Sequence, residues 1–186
     1  MSMAASQQAS EGGTGYGPII VMGVCGCGKS SVGRRLADYL GCAFLEGDTV
    51  HPPANVEKMR EGVPLNDSDR LPWLNDLAAK LREGGDIVVS CSALKRGYRQ
   101  RLQDEAKRAV TFVFLQGSRD LIKARMADRK GHYMPVSLLE SQLATLELPG
   151  KEENVITIDI DRPVEVIVTQ ALTCLAINAV RRKQVL

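Results

Sequence analysis

Residues 19–30 read Ile-Ile-Val-Met-Gly-Val-Cys-Gly-Cys-Gly-Lys-Ser, and this stretch decides the fold class. Its first four residues are apolar, as in a parallel strand covered on both faces. From Gly23 the sequence matches G-x-x-x-x-G-K-[ST] at every position. Val32, Leu36 and Leu40 then recur every four residues and mark the buried side of a helix. A strand, a glycine-rich turn and a helix in this order predict a phosphate-binding loop.

The predicted loop offers the groups that bind a nucleoside triphosphate. Its glycines let backbone N–H groups converge on phosphate oxygens, and the helix N-terminus adds a favourable dipole. We expect Lys29 to contact the β- and γ-phosphates and the Ser30 hydroxyl to bind Mg²⁺. The residues expected to contact the nucleotide are Gly23, Val24, Cys25, Gly26, Cys27, Gly28, Lys29, Ser30 and Ser31.

Strands and helices alternate along the rest of the chain. Apolar residues at helical spacing surround Leu77 and Ile122, and a long amphipathic pattern runs from Pro163 towards Val180. This alternation predicts an α/β fold with a parallel sheet and right-handed crossovers. The further apolar runs of strand length cover residues 43–45, 87–89, 110–115 and 155–160.

Length and composition predict one globular domain. The chain has 186 residues, of which 44% are hydrophobic and 25% charged, and its formal net charge is +2. This mild charge favours neither a nucleic-acid nor a membrane partner. The longest apolar runs have only strand length, so no membrane span is expected. We expect residues 1–17 to form a flexible polar tail and residues 18–186 the domain.

Cysteine usage and the N-terminal composition favour the cytoplasm. The five cysteines form no zinc-like pairs with each other or with the two histidines, so no metal cluster is expected. The first residues carry neither a basic segment followed by an apolar one nor the arginines of a mitochondrial presequence. A reduced, cytoplasmic compartment is therefore the expectation.

The size of the chain and its missing motifs favour a small-molecule kinase among phosphate-loop proteins. No guanine-binding N-K-x-D occurs, and the D-x-x-G match at residues 38–41 falls at the end of the first helix. Two alternatives remain open at this stage. One is a kinase for another small hydroxy acid or polyol such as shikimate, and the other is a nucleotide-dependent switch that phosphorylates no metabolite.

Candidate acceptor residues follow the second and third strands, since ligands of open α/β sheets bind at the carboxyl ends of strands. Asp48 could orient and deprotonate an acceptor hydroxyl, or hold Mg²⁺ through a water, unless it is a turn residue. His51 could contact the acceptor or simply pack before two prolines. Ser92 allows close approach, and Lys95 could meet an anion or begin a helix.

Two arginine-containing segments complete the predicted site. Arg70 follows Asn66, which has the character of a helix N-cap, and its guanidinium could grip a carboxylate with two hydrogen bonds. Trp73 is expected in the core. Arg125 and Arg129 lie four residues apart before a polar, charged stretch, which predicts a lid near residues 125–136 with arginines on the transferred phosphoryl group.

Taken together, four segments resemble the small phosphate-loop type of gluconokinase. The blocks H-P-x-x-N-x-x-K-M and P-L-N-D-x-D-R-x-P-W-L are specific to that family, and the similarity spans roughly residues 19–175. The segments that carry the resemblance are residues 22–33, 45–74, 88–99 and 124–135.

The resemblance implies ATP-dependent phosphorylation of D-gluconate at the C6 hydroxyl, giving 6-phospho-D-gluconate for the pentose phosphate pathway. It implies an αβα sandwich with a five-stranded parallel sheet in order 2-3-1-4-5 and a helical lid, as in shikimate and nucleoside monophosphate kinases. Asp48 would face the acceptor, Arg70 would bind its acid group, and residues 159–163 would lie near adenine. A homodimer is expected only by analogy with the family.

The chain departs from the family pattern in its loop, where the family usually has serines at the positions of Cys25 and Cys27. Because the backbone supplies the phosphate-binding amides, activity should survive. Beside a helix N-terminus and Lys29, these thiols could be reactive thiolates that oxidants or alkylating agents attack. The alternative is that they are small residues tolerated in place of serine.

Overall fold

The structure is a computed structural model that describes residues 15–127 and 136–184. Within these ranges it has one parallel sheet with the strand order β2-β3-β1-β4-β5. This order and the α/β class agree with the sequence prediction. The strands are β1 (Ile19–Met22), β2 (Ala43–Glu46), β3 (Ile87–Ser90), β4 (Thr111–Gln116) and β5 (Val155–Asp159).

Helices of the described ranges connect these strands. Two of them, α2 and α6, were not expected from the sequence, and α4 was expected only as the alternative role of Lys95, the start of a helix. Helices α2 and α4 are polar and short of apolar residues, so their helical period is weak. The helices are α1 (Lys29–Leu40), α2 (Pro53–Arg60), α3 (Asp67–Arg82), α4 (Arg96–Ala106), α5 (Arg119–Ala127), α6 (Val136–Thr145) and α7 (Val164–Lys183).

The helices cover both faces of the sheet, which makes the domain a three-layer αβα sandwich. Ile19 and Val21 of β1 belong to the cluster that includes the buried residues of α1 and α7. Ile20 and Met22, which point to the opposite face, pack with residues of α3 and α4. Because both faces are covered, β1 is apolar at every position, as the sequence predicted.

Helix α7 covers the same face of the sheet as α1. Its residues Val164–Arg182 have the length and mean hydropathy (1.4) that a membrane span also has, with 22% of that window buried. The expectation that no apolar segment exceeds strand length was therefore wrong as a statement about hydropathy. In the structure, Ile167, Val168 and Ala171 pack in the core beside α1, as in a core helix of a folded domain.

Residues 15–17, which the sequence assigned to the tail, contact the domain. The Asp86 carboxylate accepts hydrogen bonds from the backbone N–H of Gly15 (3.1 Å) and of Gly17 (2.9 Å). Between them, Tyr16 is partly buried against the core. Residues 1–14, the rest of the predicted tail, lie outside the described residues.

Candidate active site

The phosphate loop joins β1 to α1 and requires glycine at several of its positions. Gly23, Gly26 and Gly28 have φ angles of 141°, 79° and 98°, which L-residues rarely adopt. A Cβ on Gly23 would also lie 2.9 Å from the Leu115 carbonyl oxygen. Gly28 is the N-cap of α1, so the first turn of that helix opens into the loop. The loop thus has the backbone that its sequence pattern predicts.

Lys29 and Ser30 occupy the first turn of α1. The Lys29 ammonium donates to the Val24 carbonyl oxygen at 3.0 Å and so lies inside the curve of the loop. Burial lowers the pKa of Lys29, but negatively charged neighbours such as Asp48 act in the opposite direction, and the pKa is raised. The lysine therefore carries its charge at neutral pH. The Ser30 hydroxyl has no hydrogen-bond partner among the described residues.

The loop cysteines are buried, which favours the second of the two alternatives for them, small residues in place of serine. Desolvation raises the pKa of the Cys27 thiol above its usual value, although Lys29 acts in the opposite direction. Cys91 lies in the segment between β3 and α4 (residues 91–95, the acceptor-side segment). It is fully buried, and desolvation raises its pKa to about 12. The loss of solvent around the Cys27 thiol, which adjacent residues do not reveal, is a larger effect here than the nearby lysine.

Asp48 lies on a 3₁₀ turn (Gly47–Val50) that follows β2 directly. Gly47 holds this turn against β3, because its N–H donates to the Ser90 hydroxyl at 3.1 Å and a Cβ would lie 2.0 Å from the Ser90 carbonyl oxygen. The Asp48 side chain is exposed and acts electrostatically on Lys29 and on His51. The predicted acceptor-facing carboxylate and the loop lysine are thus brought together.

His51 is buried at the edge of the acceptor region and is neutral at physiological pH. Its ring stacks on Trp73, with centroids 4.1 Å apart and planes 15° apart. Trp73 is a core residue, as expected, and its indole N–H donates to the Gly47 carbonyl oxygen at 2.8 Å. Burial and Arg70 lower the pKa of His51 to about 4, against the opposing effect of Asp48.

Asn55 fixes the tautomer of this histidine. Its carboxamide nitrogen donates to the Asp69 carbonyl oxygen at 2.7 Å and lies 3.4 Å from His51 Nδ1. Since the neutral ring accepts at Nδ1, its proton is on Nε2. His51 can therefore donate a hydrogen bond from Nε2 to a ligand oxygen.

The blocks that suggested the family form one folded unit between α2 and α3. Asn66 is the N-cap of α3, as the sequence predicted. Asp69 completes a capping box with it and also pairs with Lys58 of α2 at 2.7 Å. These contacts, together with Asn55, fix the start of α3. They also give a structural role to Asn55, Lys58 and Asp69, which the sequence had left without one.

Arg70 extends from this fixed helix start. Its side chain is half-buried, lies 5.9 Å from the centre of the Tyr98 ring and has no ion-pair partner within the described ranges. Its charge acts on His51 and on Asp67, so it belongs to the same region. An unpaired, half-buried guanidinium of this kind suits a carboxylate ligand.

Lys95 and Ser92 lie on the segment after β3. The Lys95 ammonium is 2.6 Å from the Asp67 carboxylate, which also accepts from the Tyr98 hydroxyl, so this lysine already has an acidic partner. It is also the N-cap of α4, the role that the sequence left as its alternative. The Ser92 carbonyl oxygen accepts from Gly23 N–H at 3.3 Å, which joins this segment to the phosphate loop.

A cavity of about 380 Å³ lies on the other side of the loop. Arg125 and Arg162, which follows β5, both line this cavity. The Arg125 guanidinium also donates to the Ile160 carbonyl oxygen at 2.5 Å. Residues 159–163 were expected near adenine, and Arg162 of this segment lines the cavity. Arg129 lies outside the described residues, as do residues 128–135 of the predicted lid. The loop residues that line the cavity are Gly26, Cys27, Gly28 and Ser31.

Sequence reasoning missed Gln142 of α6, whose side chain contacts the loop. Its Oε1 accepts a hydrogen bond from Cys25 N–H at 2.7 Å, although the residues are 117 positions apart. No local signal marks it, because α6 was not predicted and a single glutamine on a helix carries no motif.

Comparison with known proteins agrees with the fold and places the chain in a family. An AAA domain model matches residues 19–149. The gluconokinase of Gluconobacter oxydans is 45% identical over 158 residues, which cover 83% of this chain and 88% of that protein. The chain belongs to the gluconokinase family. The thermoresistant gluconokinase of Escherichia coli is 42% identical over 82% of this chain and 90% of its own length.

Solved structures extend this comparison to the fold. A gluconokinase from Sinorhizobium meliloti superposes with a TM-score of 0.86 at 48% identity and covers 91% of this chain and 97% of its own. Shikimate kinase from Aquifex aeolicus has a TM-score of 0.56 at 18% identity, which shows a shared fold alone. The gluconokinase family and the wider kinase fold therefore agree with the predicted αβα architecture.

Proposed function

We propose that this chain catalyses the ATP-dependent phosphorylation of D-gluconate at its C6 hydroxyl, giving 6-phospho-D-gluconate for the pentose phosphate pathway. One observation carries the proposal beyond family membership. The edge of the sheet that bears the phosphate-loop Lys29 also bears Asp48, neutral His51 and the unpaired Arg70. A phosphoryl donor site thus adjoins groups suited to a hydroxyl and to a carboxylate.

The acceptor hydroxyl would be oriented by Asp48. An exposed carboxylate close to Lys29 can accept a hydrogen bond from the C6 hydroxyl and take its proton as the oxygen attacks. Transfer then proceeds in line, with the γ-phosphoryl group leaving the β-phosphate oxygen of ATP for the C6 oxygen. Catalysis consists mainly of positioning and charge stabilisation.

The remaining acceptor groups would select a polyhydroxy acid. D-gluconate carries a carboxylate at the end opposite to C6, and Arg70 offers a planar pair of donors for it. His51 would donate from Nε2 to a hydroxyl of the sugar acid. We further propose that Ser92 and Lys95, on the segment after β3, line the same acceptor region, Lys95 with its partner Asp67.

ATP would bind along the loop, with adenine in the cavity beside Arg125 and the phosphates on residues 23–31. The donors present fit Mg²⁺ that is held chiefly by phosphate oxygens. Ser30 offers a hydroxyl with no other partner, Asp48 could act through a water, and the described residues hold no cluster of three metal-ligating side chains. Bound Mg²⁺ neutralises phosphate charge. Arg125 and Arg129 would add positive charge from the lid.

An acceptor panel tests the proposed function. ADP release is measured with ATP·Mg²⁺ and, separately, D-gluconate, shikimate, nucleosides or no acceptor. The proposal predicts stimulation by gluconate alone. Stimulation by shikimate or another polyol instead would indicate a different small-molecule kinase. Turnover that no acceptor changes would indicate a nucleotide-dependent switch.

We also propose a cytoplasmic location and a homodimer, the latter by family analogy.

A further inference from the structure

Gln142 and Lys29 contact opposite sides of one peptide group in the phosphate loop. The Val24 carbonyl oxygen accepts from the Lys29 ammonium at 3.0 Å, and the N–H of the same peptide bond, that of Cys25, donates to Gln142 Oε1 at 2.7 Å. The loop therefore receives a second polar side chain, from a helix far along the chain, at a point next to its lysine.

Helix α6 holds Gln142 in a fixed position. At its N-terminal half, Glu140 pairs with Arg119 at 2.8 Å and with Lys123 at 3.2 Å, both on α5. Leu139 is fully buried in the core. Beyond the helix, Glu147 N–H donates to the Leu94 carbonyl oxygen at 2.9 Å, next to the acceptor-side segment. These contacts on either side of Gln142 hold α6 in place, so the Gln142 side chain reaches the loop in a defined geometry.

The contact lies between the nucleotide side and the acceptor side of the loop. The cavity assigned to adenine is lined by Gly26 and the loop residues that follow it, whereas Gly23 donates to Ser92 of the acceptor-side segment. Cys25 stands between these two parts.

The Gln142 carboxamide uses its oxygen, but not its nitrogen, in hydrogen bonds to the described residues. Its Oε1 accepts from Cys25, while its Nε2 group, with two N–H donors, has no hydrogen-bond partner among the described residues. A neutral donor beside Lys29 suits an oxygen of a phosphoryl group, whose negative charge is shared over three oxygens in the transition state.

We propose that Gln142 is a further catalytic residue: it stays on Cys25 N–H through Oε1 and donates from Nε2 to the γ-phosphoryl group during transfer. This rests on the proposed kinase function. Gln142 forms no covalent bond. The bond to the β-phosphate oxygen breaks, the bond to the acceptor oxygen forms, and the acceptor proton goes to Asp48.

Two substitutions separate this role from a purely structural contact. Gln142→Glu keeps an acceptor for Cys25 N–H but removes the donor, and Gln142→Ala removes both. We expect each variant to lower kcat with gluconate on the order of 10- to 100-fold, the effect of losing a charge-assisted hydrogen bond. Gln170→Glu, an exposed glutamine on α7, is the matched control and should keep wild-type kcat.

Calorimetric measurement of nucleotide binding tests the proposed contact between Gln142 and the γ-phosphoryl group without turnover. Gln142→Ala should bind ADP within about twofold of wild type but lose at least fivefold of its relative preference for the β,γ-imido analogue of ATP. A Gln142→Glu variant with kcat within threefold of wild type would overturn the proposal, as would equal changes in ADP and analogue binding. If wild type fails to phosphorylate gluconate, the proposed function fails, while the binding comparison still tests Gln142.

Discussion

Arg70→Ala removes the guanidinium that we assign to the gluconate carboxylate. The side chain makes no hydrogen bond or ion pair in the described structure, so the loss should fall on ligand binding and leave the capped start of α3 intact. A hydrogen bond to a charged group contributes about 1.5–3 kcal/mol, and because Arg70 is only half-buried we take the lower part of this range. The KM for gluconate should therefore rise about 10- to 40-fold.

Steady-state kinetics with two acceptors checks this value. The KM for ATP should change less than twofold, and Arg70→Lys, which keeps the charge but not the planar fork, should fall between wild type and alanine. The variant should also lose most of its preference for gluconate over an uncharged polyol of equal length. Equal discrimination in mutant and wild type would refute the assignment and leave Arg70 as an ordinary helix-start residue.

Three other predictions follow from the same site. Asp48→Asn should lower kcat at least 100-fold with ATP affinity nearly unchanged, since it removes the proton acceptor but leaves the phosphate loop intact. If calorimetry shows that ATP binding is lost while turnover at saturating ATP is normal, Asp48 acts on the metal instead. Because the pKa of His51 is depressed in the folded state from 6.5 to about 4, the unfolded chain binds the extra proton first and stability falls as pH drops from 6.5 towards 4. Urea unfolding should show a smaller loss over this window in His51→Gln, and an identical loss would contradict a neutral buried ring. Iodoacetamide at pH 7.5 should inactivate the folded protein slowly, because burial raises the pKa of Cys27 and Cys91; rapid inactivation that ATP·Mg²⁺ prevents would show that the loop thiols are accessible.

The sequence predicted those features of the fold that local patterns encode. The unbroken apolar run of β1, the glycines of the loop and the four-residue spacing of α1 depend only on neighbouring residues. Their agreement with the structure is therefore expected. Strand order came from the resemblance instead, because pairing between distant strands leaves little trace in a single sequence.

Other features depended on contacts that no local pattern records. Gln142 contacts Cys25 across 117 positions, and the ion pair of Lys95 with Asp67 joins two separate segments. The choice between the two alternatives for the loop cysteines depends on such contacts as well. Their positive surroundings could be inferred from adjacent residues, whereas their burial depends on the packing of the whole domain around the loop.

The most direct measurement is proton-coupled ³¹P NMR of the product formed from ATP·Mg²⁺ and D-gluconate. We expect a new phosphate ester whose resonance is a triplet, because the two C6 protons of a primary ester split it. Lys29→Ala, folded with an unchanged Tm, should form the ester at least tenfold more slowly, a loss of about 1.4 kcal/mol or more. A doublet would place the phosphate on a secondary hydroxyl, and absence of any ester with the wild-type protein would contradict the proposed function outright.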